Sequence, residues 1–184
     1  MPSLDYLAPA ETFLDPDRDG VDQPEAARAV VVPFGLEASV SYGGGTHLGP
    51  AAILAASHQL ELYDEELARE PYRDFGIAAI RAPEIPPTVP AALTQLEGIV
   101  GTIVSAGRFP LVLGGEHSLT IGAVRAAARA HPNLAVLQID AHADLRDGYL
   151  GEHFSHASAM RRVLDENPGV TVASVGIRAL SADE

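Results

Sequence analysis

With 184 residues, a formal charge of −13 at pH 7 and a pI near 4.8, the chain has the size of one domain and lacks the basic footprint that nucleic acid or an anionic membrane surface requires. It has no cysteine, and all 12 basic residues are arginine, which excludes disulfides, thiolate metal sites, thiol nucleophiles, a P-loop lysine and Schiff-base chemistry. Apolar residues make up 47% and aromatic ones only 5%, so the expected core is Ala, Val, Leu and Ile in a soluble, cytoplasmic domain. No apolar stretch reaches the ~18 residues of a membrane span, and residues 1–20 are too acidic for a signal peptide.

Residues 1–28 carry Pro2, Pro9, Pro16 and Pro24 among acids such as Asp19, and predict an extended arm lying over a surface. A single domain then runs over 29–184. Ala29-Val30-Val31-Val32, closed by Pro33, predicts a strand buried on both faces. Gly43-Gly44-Gly45 predicts a flexible loop, and Pro50 at a first helical position predicts a helix over 51–66. A weaker strand is expected at 74–78, then a helix over 90–106 stopped by Gly107. A short strand over 109–113 precedes a helix over 119–130 with Ser118 as its cap. The clearest strand covers 134–139, a helix is expected over 155–165, and a last strand over 170–177. Strands alternating with helices predict an α/β fold: a mostly parallel sheet with helices on both faces, the three-layer αβα arrangement.

In such sheets chemistry gathers outside the carboxyl ends of the strands. Two segments lie there. Gly114-Gly115-Glu116-His117 follows the 109–113 strand, and Asp140-Ala141-His142-Ala143-Asp144 follows the 134–139 strand. If 140–144 stay extended, their period of two sends Asp140, His142 and Asp144 to one side, with two small alanines between them. Two carboxylates and an imidazole, joined by His117, make a divalent-metal site. Mixed oxygen and nitrogen donors favour Mn, Fe, Co or Zn over Mg or Ca. His131 at a helix end, His58 on a helix flank and Arg161-Arg162 late in a helix have ordinary structural readings.

These segments, with Ser155-His156-Ala157-Ser158 leading into Met160-Arg161-Arg162 and the Gly45-Thr46…Gly49-Pro50 signature, resemble the ureohydrolase family of arginases and agmatinases. The third motif and Glu61-Leu62-Tyr63-Asp64 look most like the agmatinase branch. The resemblance implies an arginase-like fold, incomplete at the C-terminus, and a binuclear Mn2+ centre that hydrolyses a guanidino group to urea and an amine. Agmatine, converted to putrescine in polyamine biosynthesis, is the first expected substrate. In that pattern His117 and Asp144 hold one manganese, His142 the other, and Asp140 bridges them. His156 matches the proton shuttle, with His153 as the runner-up. Asp147 and Glu152 give a cationic substrate a negative surround, although an ordinary solvated surface is the simpler account of both.

The family's later Ser-x-Asp-x-Asp-x-x-Asp-Pro motif, with the two remaining ligands, is absent, and Asp183 has no matching context. Four of six expected ligands are therefore present, and the site of His142 is expected to be the weaker. The chain is expected to be the N-terminal part of a longer product, trimeric or hexameric when full length, with 170–177 as an exposed edge strand. Other guanidino-acid ureohydrolases, a metal-dependent deacetylase of acetylated amines and a non-catalytic metal-binding module stand as alternatives. The lone His117, where deacetylases carry adjacent histidines, disfavours the second.

Overall fold

The computed structural model describes residues 3–18 and 23–184. Pro2 and Asp19, which contribute to the expected arm, lie outside them. The elements in chain order are β1 (Ala29–Phe34), α1 (Gly49–Ser57), α2 (Tyr72–Phe75), β2 (Ile77–Ala79), α3 (Val89–Ser105), β3 (Phe109–Gly114), α4 (Leu119–Ala130), β4 (Ala135–Ile139), α5 (Ala159–Glu166) and β5 (Thr171–Val175), with short 3-10 turns at Pro9–Glu11, Thr46–Leu48 and His156–Ser158.

All strand pairings within the sheets are parallel. They form a three-stranded sheet in the order β2-β1-β3 and a two-stranded one, β4-β5. Sequence alternation predicts crossover units but not which strands become neighbours, and β3 and β4 do not pair. Strand β1 runs through Pro33 to Phe34 and is buried on both faces, as its β-branched run predicts. Its period of two divides the core: Val30, Val32 and Phe34 pack with Leu93, Leu96 and Ile121 of α3 and α4, while Val31 packs with Ala79, Tyr72 and Leu54 on the other side. Helices thus cover both faces of the β2-β1-β3 sheet, the three-layer α/β arrangement.

Helix α5 covers one face of β4-β5 through Met160 and Val163, packed with Val136, Val172 and Val124 of α4. The opposite face carries exposed Leu137, Ile139 and Val175. Helices α3 and α4 cross closely because Gly122 has no side chain; a Cβ there would lie 2.5 Å from the Leu93 carbonyl oxygen.

Three local expectations change. Helix α1 ends at Ser57 instead of near residue 66, because Ser57 Oγ donates to Leu54 O and accepts the N–H of Leu14, while His58 Nε2 meets Thr12 O. Asp64 then captures the Leu67 N–H and holds a turn. Residues 72–75 are helical, not extended; Gly76, at φ 63°, turns the chain into β2. Ser118 does not cap α4, since its hydroxyl donates to Glu116. The arm lies on the edge of β2: Leu7 N–H donates to Ala79 O, Arg81 N–H donates to Asp5 O, and Tyr6 bridges Ile80.

Candidate metal centre

The carboxyl end of β3 turns sharply at Gly114-Gly115. A Cβ on Gly115 would sit 2.1 Å from the Leu36 carbonyl oxygen, so only glycine lets the chain pass there and present His117 toward the end of β4. From β4 the chain continues into Asp140, whose N–H still donates to Val175 O of β5. His117, Asp140 and Asp144 each bring one ligand atom into a group whose members lie within 4.8 Å of one another. His117 Nδ1 is 2.6 Å from Asp144 Oδ2 and 3.6 Å from Asp140 Oδ2.

His142 is placed differently. Its ring is 64% exposed, and its Nδ1 lies 3.6 Å from Asp140 Oδ1, the oxygen turned away from His117. The expectation that 140–144 remain extended is corrected here. Asp144 has φ 53°, so the alternation of faces stops before it. That left-handed residue brings its carboxylate back to His117 and aims its carbonyl at α5, where it accepts the N–H groups of Met160 and Arg161.

Asp140 is held from several directions. Burial works to raise its pKa, but the His142 N–H, the Gln138 amide and the neighbouring His117 outweigh burial and keep the carboxyl below its ordinary range. Gln138, buried on β4, donates to Asp140 Oδ2 at 3.4 Å and to the His142 carbonyl at 3.1 Å, and its own oxygen accepts the Ser174 hydroxyl of β5. An anionic carboxylate with one oxygen toward each imidazole has the donor chemistry of a bridging ligand. His117, Asp140 and Asp144 therefore offer the mixed oxygen and nitrogen donors of a divalent-metal site, with His142 outside that group on the other oxygen of Asp140.

A cavity of about 310 Å3 opens beside this group, lined among others by Ser41, His142, Asp144, Tyr149, His156 and Glu184. His156 Nε2 is 2.9 Å from Ser41 Oγ and its Nδ1 is 3.1 Å from Ser39 Oγ. The Tyr149 ring meets the imidazole edge-on at 5.5 Å between centroids. His153 does not line the cavity. Both of its ring nitrogens face Nη1 of the buried Arg162, whose Nη2 holds Asp147 at 2.7 Å. That guanidinium keeps the Asp147 carboxyl below its usual range, and Glu152 accepts the Phe154 N–H. At the cavity's far wall, burial of Glu184 is outweighed by the Ser181 N–H and hydroxyl, the Leu145 N–H and Arg146, which hold its carboxyl low.

Ser39, Ser41, Glu116, Gln138 and Tyr149 were given no role by motif reading, and Arg162, read there as a helix-end cation, instead faces His153 and holds Asp147. Two of them left a signal. Gln138 is a polar residue inside an apolar strand and shares the face of Asp140, and Glu116 lies inside the Gly-Gly-x-His turn.

The family model described as Arginase family matches residues 27–184. The chain is 41% identical over 164 residues to an N(1)-aminopropylagmatine ureohydrolase of Synechocystis sp., covering 86% of this chain and 53% of that protein. It is 36% identical over 167 residues to an agmatinase of Bacillus anthracis, covering 87% and 55% respectively. The crystal structure of an agmatine ureohydrolase of Thermoplasma volcanium superposes with a TM-score of 0.77 at 31% identity, over 100% of this chain and 58% of that one. The chain thus spans about half the length of the relatives it matches. With the family model matching most of its length, the chain belongs to the arginase family.

Proposed function

We propose that this chain contributes to the hydrolysis of a terminal guanidino group to urea and an amine at a binuclear manganese centre, with agmatine as substrate and putrescine as product. The observation that carries the reading is Asp140, whose two oxygens each lie 3.6 Å from a different imidazole, His117 and His142. His117 and Asp144 would hold one ion, His142 the other, and Asp140 both.

Guanidinium is a poor electrophile, and a pair of divalent ions, when bound, supplies hydroxide at neutral pH. The chain's own residues do the rest. Asp144 keeps its left-handed turn by capping α5, which fixes the carboxylate beside His117. Gln138 and the His142 N–H orient Asp140. His156 faces the cavity and carries the proton that the leaving amine needs, a task suited to an imidazole near neutral pH. His153 is a poorer candidate, since its ring faces Arg162 and does not line the cavity. The charge of −13 draws a cationic substrate to the surface.

A second substrate, N(1)-aminopropylagmatine, is favoured by the likeness to the 41%-identical N(1)-aminopropylagmatine ureohydrolase of Synechocystis sp.. We place the protein in the cytoplasm, where a cysteine-free chain needs no oxidising compartment, and as a trimer or hexamer at full length.

The test loads the protein with Mn2+ and measures ion stoichiometry and urea release from both amines. Two ions with urea production support the reading. One tight ion without turnover makes this chain a metal-binding module, and no ion binding at all ends the proposal. No helix among the described residues is long and apolar enough to cross a membrane.

A further inference from the structure

Glu116 is the residue between the Gly-Gly turn and His117, yet its side chain turns away from the candidate metal ligands. It is buried at 7% exposure, and four donors converge on it. Oε2 accepts the N–H groups of Ala38 and Ser39, each at 2.7 Å. Oε1 accepts the hydroxyls of Ser39 at 2.8 Å and Ser118 at 2.6 Å. A carboxylate is acceptor-only, so the single hydroxyl hydrogen of Ser39 is committed to Glu116. Charge-assisted bonds of this kind are roughly twice as strong as neutral ones.

Ser39 Oγ then has only lone pairs left. Two groups of His156 meet them: the backbone N–H at 2.9 Å and ring Nδ1 at 3.1 Å. With no hydrogen available from Ser39, Nδ1 must supply it. The other ring nitrogen, Nε2, faces Ser41 Oγ at 2.9 Å, on the wall of the cavity.

We infer that Glu116 acts through Ser39 as a positioning pair that fixes neutral His156 as the Nδ1–H tautomer, leaving Nε2 as the nitrogen that takes up and releases protons in the cavity. The inference rests on reading His156 as the proton-carrying group. It adds which nitrogen works and what sets it. Proton balance is simple: Nε2 takes a proton from the attacking water to form the imidazolium, then gives that proton to the departing amine, while the other proton stays on Nδ1, donated to Ser39 Oγ throughout.

The replacement of Glu116 by glutamine gives the sharpest test. A glutamine there can accept the Ala38 and Ser39 N–H groups only by turning its NH2 toward the two serine hydroxyls. Ser39 must then donate to Nδ1, and His156 is driven to the Nε2–H form. Long-range 1H–15N spectra of the 15N-histidine-labelled full chain, at a pH where the rings are neutral, read the tautomer without turnover. His156→Asn assigns its signals among the seven histidines. The expected result is a protonated Nδ1 in the wild type, reversal in Glu116→Gln, loss of the preference in Ser39→Ala and its recovery in Ser39→Thr. An Nε2–H wild type, or a pattern unchanged in both Glu116→Gln and Ser39→Ala, overturns the inference. If Glu116→Gln fails to fold, the wild-type tautomer and the serine pair still decide it.

Turnover by the manganese-loaded protein tests the underlying reading separately. His156→Asn should lower kcat within the roughly 10²–10⁴-fold range of acid–base catalysis. Glu116→Gln should lower kcat by a smaller factor with KM little changed. Unimpaired turnover in His156→Asn would remove the shuttle role even with the tautomer as inferred.

Discussion

His117 Nδ1 and Asp144 Oδ2 lie 2.6 Å apart although they follow β3 and β4, two strands that do not pair with each other. An ion held by both residues would tie the two sheets together at their carboxyl ends. Mn2+ at about 100 times its dissociation constant should stabilise the fold by about 2.7 kcal/mol, a rise in melting temperature of about 5–10 °C for a chain of this size. Chelation should reverse the shift, and Asp144→Asn or His117→Ala should abolish most of it in thermal melts.

Gln138 does not line the cavity, yet it donates to both Asp140 and the His142 carbonyl. Replacing such a supporting group typically costs 10–100-fold in metal affinity. Gln138→Ala should therefore weaken manganese binding by about that factor in competition with a fluorescent chelator. Ser174→Ala, which only removes the bond to the Gln138 oxygen, should weaken it less.

The crossing of α3 and α4 leaves no room at Gly122. Gly122→Ala would force a Cβ to within 2.5 Å of the Leu93 carbonyl, and overpacking of this kind costs about 1–3 kcal/mol. Urea denaturation should show a lower midpoint with an unchanged slope. Gly98→Ala in α3 is the control, because a Cβ there meets nothing and alanine favours the helix.

The loop at 43–47 should respond to acid through Glu37. The His47 N–H, the His47 ring and the Gly45 N–H lower its pKa from 4.5 to about 2. A carboxyl depressed on folding contributes stability that is complete above about pH 4.5 and is lost as the pH falls toward 2. Exchange protection of the Gly45 and His47 amides should follow that window. In Glu37→Gln the amides should be less protected at neutral pH and lose the acid dependence.

Strands β1, β3, β4 and β5 and helices α3 and α4 were legible because β-branched runs and the stop at Gly107 act locally, whereas β2 begins only after the short helix at 72–75. Helix α4 falls at the residues its pattern predicts. The early end of α1 was not legible, since it depends on the Ser57 and His58 contacts with Leu14 and Thr12, more than 40 positions away. At the site, spacing placed the ligand candidates at strand ends but misjudged Asp144, whose left-handed backbone breaks the alternation. No periodicity could couple Ser39 to His156 across 117 positions, because that contact exists only once β1 and β3 are paired and Glu116 is buried.

The arm laid along β2 gives the molecule a direction for strand addition. Asp5 and Leu7 already use backbone groups of Arg81 and Ala79, so an incoming chain at that flank must first displace them. Among the described residues, no such cover lies over Phe109 and Leu111 of β3 or Leu137 and Ile139 of β4, all of them exposed. An intermolecular sheet should therefore extend from β3, β4 or β5 before β2, and clipping the arm by limited proteolysis should open the β2 flank as well.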